Sequence, residues 1–130
     1  MTGAGARILV VEDDDDIREV MQDVLASEGF QVEVARDGLE GLDALGRLAA
    51  GAQPPLILLD MMMPRMDGEA FLKAVKARPA LSEAPVIVIS GNAAVREKAA
   101  QPQAAACLVK PFELDELLGL VRRFTSPGAR

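Results

Sequence analysis

A chain of 130 residues, half of them apolar, suits one compact domain that buries roughly two-thirds of its unfolded surface without a metal or disulfide staple. A net charge of −6 argues against direct binding to nucleic acid or anionic lipid, and no apolar run approaches the ~20 residues of a membrane span. The chain has no histidine, which removes Ser-His-Asp and Cys-His catalysis and every histidine metal site, and its single cysteine, Cys107, excludes an internal disulfide.

Any metal here must be held by oxygen, which points to Mg²⁺, Mn²⁺ or Ca²⁺. With four Phe and no Tyr or Trp, the core must be built mainly from Val, Leu, Ile, Ala and Met. The opening MTGAGAR lacks the apolar stretch of a signal peptide, so a cytoplasmic location is expected.

The first element is RILVV (Arg7–Val11), apolar without alternation, as in a strand covered on both faces. An acidic cluster, Glu12–Asp16, follows. DIREVMQDVLASEG then spaces Ile17, Val20, Met21, Val24 and Leu25 at helical intervals, with Gly29 as a C′ stop. FQVEVA (Phe30–Ala35) alternates like a half-exposed strand, and Asp37-Gly38 is a turn signal. LEGLDALGRLAAG repeats Leu39, Leu42, Leu45 and Leu48 at helical spacing, weakened by Gly41 and Gly46.

Pro54-Pro55 breaks the chain before LILL, a second doubly buried strand, which ends at Asp60. Asp67-Gly68 opens a helix with Asp67 as N-cap, and EAFLKAVKA carries Phe71, Leu72 and Val75 on one face. Pro79 and Pro85 bracket a loop. VIVIS (Val86–Ser90) is a fourth strand, NAAVREKAA a short fourth helix stopped near Pro102, and ACLV (Ala106–Val109) a fifth strand ending at Lys110-Pro111. ELDELLGLVRRF closes the chain as an amphipathic helix with Leu114, Leu117, Leu118, Val121 and Phe124 inward; the remaining TSPGAR has the character of a linker. Five successive β-α units give a doubly wound, open parallel sheet, (βα)5.

Ligands of such sheets sit beyond the carboxyl ends of the strands. Four strands end there in polar groups: Glu12-Asp13, Asp60, Ser90 and Lys110. Two carboxylates ~4 Å apart repel by roughly 4 kcal/mol at an effective dielectric near 20. Three gathered together need a cation, from Lys110 or better from a hard divalent ion. Asp60, flanked by the others, is the candidate nucleophile toward a phosphoryl group, giving an aspartyl phosphate. The metal would bridge Asp13, Asp60 and the phosphoryl oxygens, with Lys110 and Ser90 on the remaining oxygens. Each residue alone has a plainer reading. Asp14, Asp15 and Asp16 suit the first turn of a helix, as Glu12 and Asp13 would taken alone. Ser90 suits a cap, Lys110 a solvated loop, and Met61, Met62, Met63 and Met66 packing filler. The coincidence of four strand ends favours the site.

VVEDD, LLDMMMPRMDG, VIVIS and LVKPF together resemble the receiver domain of two-component response regulators, from about Arg7 to Phe124. The resemblance implies a flavodoxin-like fold of strand order 2-1-3-4-5, a receiver domain over residues 7–124, and short tails at 1–6 and 125–130. It implies that Asp60 accepts the phosphoryl group of a phosphohistidine, from a sensor histidine kinase or a histidine phosphotransfer protein. Mg²⁺, or Mn²⁺ in its place, would be held by Asp13, Asp60 and the Met62 backbone carbonyl, with Glu12 acting through a water. Ser90 matches the Ser/Thr switch and Lys110 the phosphate-pairing lysine, with a cis Lys110–Pro111 bond.

Phosphorylation would shift the face formed by the fourth helix, fifth strand and fifth helix, and so regulate a downstream effector. No direct contact with nucleic acid or membrane is implied, and the protein would be a monomer or a weak phosphorylation-dependent dimer. Two departures stand out. Cys107 replaces the aromatic residue common three positions before the lysine, so aromatic switching is expected to be absent. The stretch between Ser90 and Lys110 is slightly short, so the fourth helix should be short too. Two rivals remain. An Asp-nucleophile phosphohydrolase of the haloacid-dehalogenase type would carry Asp-x-Asp, but Met62 occupies the second position and no cap insertion is present. A degenerate receiver would bind partners without phosphorylation.

Overall fold

A computed structural model describes residues 6–48, 54–60, 68–90, 104–110 and 112–125. Five parallel strands form one sheet in the order β2-β1-β3-β4-β5: β1 (Arg7–Val11), β2 (Gln31–Ala35), β3 (Leu56–Asp60), β4 (Val86–Ser90) and β5 (Ala106–Val109). Helices α1 (Asp15–Ser27), α2 (Gly38–Leu48), α3 (Gly68–Ala77) and α4 (Leu114–Thr125) cover it. This α4 is the fifth of the helices expected from sequence. The fourth, Asn92–Ala100, lies outside the described residues, as do Met62, the Asp67 cap and Pro111 with its bond to Lys110.

Both faces of the sheet are buried, and the pleat divides the strand residues between them. Leu9, Val11, Ile57, Leu59, Val86 and Val88 pack with Leu45 of α2 and with Phe71, Leu72 and Val75 of α3. Ile8, Val10, Leu56, Leu58, Ile87, Ile89 and Leu108 pack on the other side with Met21 and Leu25 of α1 and Leu117, Leu118 and Val121 of α4. That explains why β1 and β3 read as unbroken apolar runs. Strand β2, at the sheet edge, keeps partly exposed residues and so alternates.

Helix α1 begins at Asp15, and Asp14, expected in its first turn, is instead its N-cap. Asp14 accepts from the Ile17 N–H at 3.0 Å, with Asp15 and Asp16 in the first turn. At the other end Gly29, at φ 96°, permits a Schellman closure: Gly29 N–H bonds Ala26 O and Phe30 N–H bonds Leu25 O. Asp37, read as a turn residue, is buried and caps α2 by accepting from Glu40 N–H at 2.9 Å. The Pro79–Pro85 segment is not wholly loop, since Pro79–Leu81 form a 3-10 turn. Leu114 is corrected as well. It opens α4 before the helix reaches the sheet, and it is exposed rather than inward. Val20 and Leu39 also lie on the surface.

The two weak points of α2 differ in kind. A Cβ on Gly41 would meet Phe71 Cε1 at 2.8 Å and Val11 Cγ2 at 3.2 Å, whereas one on Gly46 would meet nothing within 4 Å. Phe71 is fully buried and cannot yield, so G41A should cost on the order of 1–3 kcal/mol through overpacking, which outweighs the gain in helix propensity. G46A should instead stabilise by about 0.5–1 kcal/mol. Urea unfolding of the two variants checks both signs.

Candidate functional site

Strand order reverses between β1 and β3, so a crevice opens beyond their carboxyl ends. The register carries the acids to that point. Val11 pairs with Leu59, which sets Glu12 beside Asp60, while Asp60 pairs with Ile89 and Ser90 with Val109. Lys110 is the next residue along β5. The structure thus brings Glu12, Asp13, Asp60 and Lys110 together and leaves the Ser90 backbone one step above Asp60; the Ser90 side chain lies outside the description.

Glu12 and Asp60 are buried, at 1% and 4% exposure, and Asp13 is exposed. One carboxylate oxygen from each of the three lies within 4.8 Å of the others. Lys110 Nζ sits 3.1 Å from Glu12 Oε1 and 3.6 Å from Asp60 Oδ2. Burial alone would push the Lys110 ammonium down, but its hydrogen bond to Glu12 and the charge of Asp60 outweigh this, and its pKa is raised. Its contribution to stability is therefore complete at neutral pH and up to about 10, and fades only as pH climbs through the raised folded value.

The donor set fits a hard divalent cation. Three carboxylates gather at one crevice and a single lysine faces them among the described residues, which leaves net negative charge in a mostly buried place. Oxygen ligands of this kind suit Mg²⁺ or Mn²⁺, and no soft ligand intrudes among the described residues. Cys107, on β5, is partly buried and packs against the cluster around Val86 and Val88 rather than among the acids. Asp14, Asp15 and Asp16 stay with α1, as the plainer reading of them holds.

The ion pair between Glu12 and Lys110 sets the ammonium against one of the gathered carboxylates, as their need for a cation suggested. One contact was missed: Arg18 carried no signal of its own in the sequence, yet it reaches the Glu12 carbonyl oxygen.

A crevice of acids at the switch point of a doubly wound five-stranded sheet, with a lysine across from a strand-end aspartate, defines an α/β domain fitted for a hard divalent cation. The sequence profile of the response regulator receiver domain matches residues 8–122. The response regulator MprA of Mycobacterium sp. (strain KMS) is 40% identical over 126 residues, covering 93% of this chain and 52% of that protein. The chain therefore spans about half the length of the curated relatives it matches.

Among solved structures, the chemotaxis protein CheY4 of Vibrio cholerae superposes with a TM-score of 0.81 at 30% identity, over 93% of this chain and 99% of that one. The receiver domain of the sensor histidine kinase PA1611 from Pseudomonas aeruginosa PAO1, solved with a magnesium ion coordinated in its active site cleft, gives a TM-score of 0.79 at 30% identity, over 94% and 98%. The chain belongs to the response regulator receiver domain family. It is a signalling domain of two-component systems rather than a metabolic enzyme. No helix among the described residues is long and apolar enough to cross a membrane.

Proposed function

We propose that Asp60 is the phosphoacceptor of this receiver, that residues 7–124 form the working unit, and that the reaction needs a divalent metal. The reading rests on one juxtaposition: a buried aspartate at the end of β3, 3.6 Å from the Lys110 ammonium and within 4.8 Å of two further carboxylates. A carboxylate oxygen of Asp60 attacks the phosphorus of a phosphohistidine on a sensor histidine kinase or a histidine phosphotransfer protein. The new O–P bond forms as the P–N bond breaks, and the departing imidazole takes a proton from solvent. Hydrolysis reverses the state: water attacks the same phosphorus and releases inorganic phosphate from Asp60.

Each remaining residue has a part. Lys110 turns from Glu12 and Asp60 toward a phosphoryl oxygen, and Ser90 donates a hydrogen bond to another. Asp13, Asp60 and the Met62 carbonyl would hold Mg²⁺ or Mn²⁺, with Glu12 acting through water. When bound, the metal supplies positive charge against the phosphoryl oxygens. The added charge of the aspartyl phosphate biases a two-state surface, made of Asn92–Ala100, β5 and α4, toward a form that engages an effector. Without an aromatic ring at Cys107, that shift runs through the segment after Ser90. We place the domain in the cytoplasm, as a monomer or a weak phosphorylation-dependent dimer.

Incubation with Mg²⁺ and a small phosphodonor should add the mass of one phosphoryl group to the intact protein, and nothing to Asp60→Asn. Many donor turnovers with no adduct at any time point would favour a phosphohydrolase. No adduct and no turnover would favour a receiver that works unphosphorylated.

A further inference from the structure

Arg18 is the fourth residue of α1, in its first turn, where a cation opposes the helix dipole. It does not turn to solvent. Its side chain is only 16% exposed and leans back toward the acidic loop, the direction helical side chains favour. Nη1 donates to the Glu12 carbonyl oxygen at 3.0 Å and Nη2 to Asp15 Oδ1 at 2.5 Å. Asp15 is 80% exposed, so this surface ion pair adds little stability by itself. What it does is hold one arm of the guanidinium fork so that the other arm meets Glu12.

Glu12 is thereby tied at four points. Its N–H donates to Ala35 O at 3.0 Å and its carbonyl oxygen accepts from Arg18. Its Oε2 accepts from the Asp14 N–H at 3.1 Å and its Oε1 pairs with Lys110 at 3.1 Å. The Glu12 carbonyl and the Asp13 nitrogen belong to one rigid peptide plane. Any rotation of that plane swings Asp13 relative to Glu12.

We infer that Arg18 is a positioning residue: by clamping the Glu12–Asp13 peptide plane it presets both carboxylates for a divalent cation. The inference rests on the metal-site reading above. Groups that orient metal ligands without touching the metal commonly change affinity 10–100-fold when removed.

The test is the Mg²⁺ dissociation constant by calorimetry, with metal-free unfolding free energies measured in parallel. Arg18→Met, which keeps the apolar stem and loses the donors, should bind Mg²⁺ about tenfold more weakly. Arg18→Lys should fall between, about threefold weaker, because one ammonium cannot reproduce the planar fork. Arg36→Ala removes another guanidinium lining the same recess between α1 and β2, one paired with Glu40, and should leave the affinity unchanged. A purely structural role for Arg18 would move the unfolding free energy and leave the dissociation constant alone.

A folded Arg18→Met with a dissociation constant within twofold of wild type overturns the inference. If that variant does not fold, Arg18→Lys decides, and wild-type affinity there overturns it equally. Asp13→Asn separates the two levels. If the wild type binds no Mg²⁺, or Asp13→Asn binds it as well as wild type, the metal reading itself falls and this inference with it.

Discussion

Lys110→Met should lower the unfolding free energy by about 3 kcal/mol in metal-free buffer, the low end of the cost of leaving one member of a buried ion pair behind. The low end applies because the lysine side chain is 24% exposed, whereas the Glu12 side chain it abandons is 1% exposed. Asp60, 3.6 Å from the same ammonium, loses that contact too. Three consequences separate this cause from lost packing. Adding Glu12→Gln to Lys110→Met should restore most of the loss, since a neutral amide needs no cation, and the double-mutant cycle should show coupling above 0.5 kcal/mol. Saturating Mg²⁺ should narrow the gap between variant and wild type. The alkaline fall in wild-type stability, as pH climbs through the raised Lys110 value, should be shallower in the variant. Denaturant unfolding at several pH values reads all three, and a Lys110→Met variant as stable as wild type would contradict the account.

The opposite sign is expected at Asp13. Its carboxylate oxygen lies within 4.8 Å of those of Glu12 and Asp60, a spacing at which unit charges repel by about 3.5 kcal/mol at an effective dielectric of 20. Asp13 is exposed and solvent screens most of this, so Asp13→Asn should gain about 1 kcal/mol at low ionic strength without metal. The same change should weaken Mg²⁺ binding at least tenfold and slow phosphorylation in proportion. Because a ligand stabilises only the state it binds, the wild type should overtake the variant as Mg²⁺ rises past its dissociation constant. Thermal unfolding across a Mg²⁺ titration should show the two curves crossing. Parallel curves would mean that Asp13 does not hold the metal, and coincident ones that it does not strain the metal-free site either. Stability given up at a functional site in this way is a common trade.

The parts of this molecule that were legible in advance share a physical reason. RILVV and LILL are buried on both faces, so burial left an uninterrupted apolar signature, and the acids that stop them had to lie on one edge because parallel strands share direction. Gly29 is local capping chemistry, readable within a few residues. What escaped was tertiary. Leu114 obeys helical spacing yet precedes the sheet, so periodicity alone misplaces it. Asp37 looked like a turn because a buried N-cap and a turn residue share one sequence signal. The Arg18 contact joins groups whose meeting depends on where β1 and α1 lie in space.

The central claim is that Asp60, and no other acid of the cluster, carries the phosphoryl group. Borohydride reduces an acyl phosphate to the alcohol and leaves free carboxylates alone, so it marks the phosphorylated side chain. Fragment mass spectrometry of protein treated with Mg²⁺ and phosphodonor, then reduced, should find the mark at residue 60. A mark at Asp13 or Glu12, or an unmodified residue 60 in protein whose intact mass shows the adduct, would contradict the account.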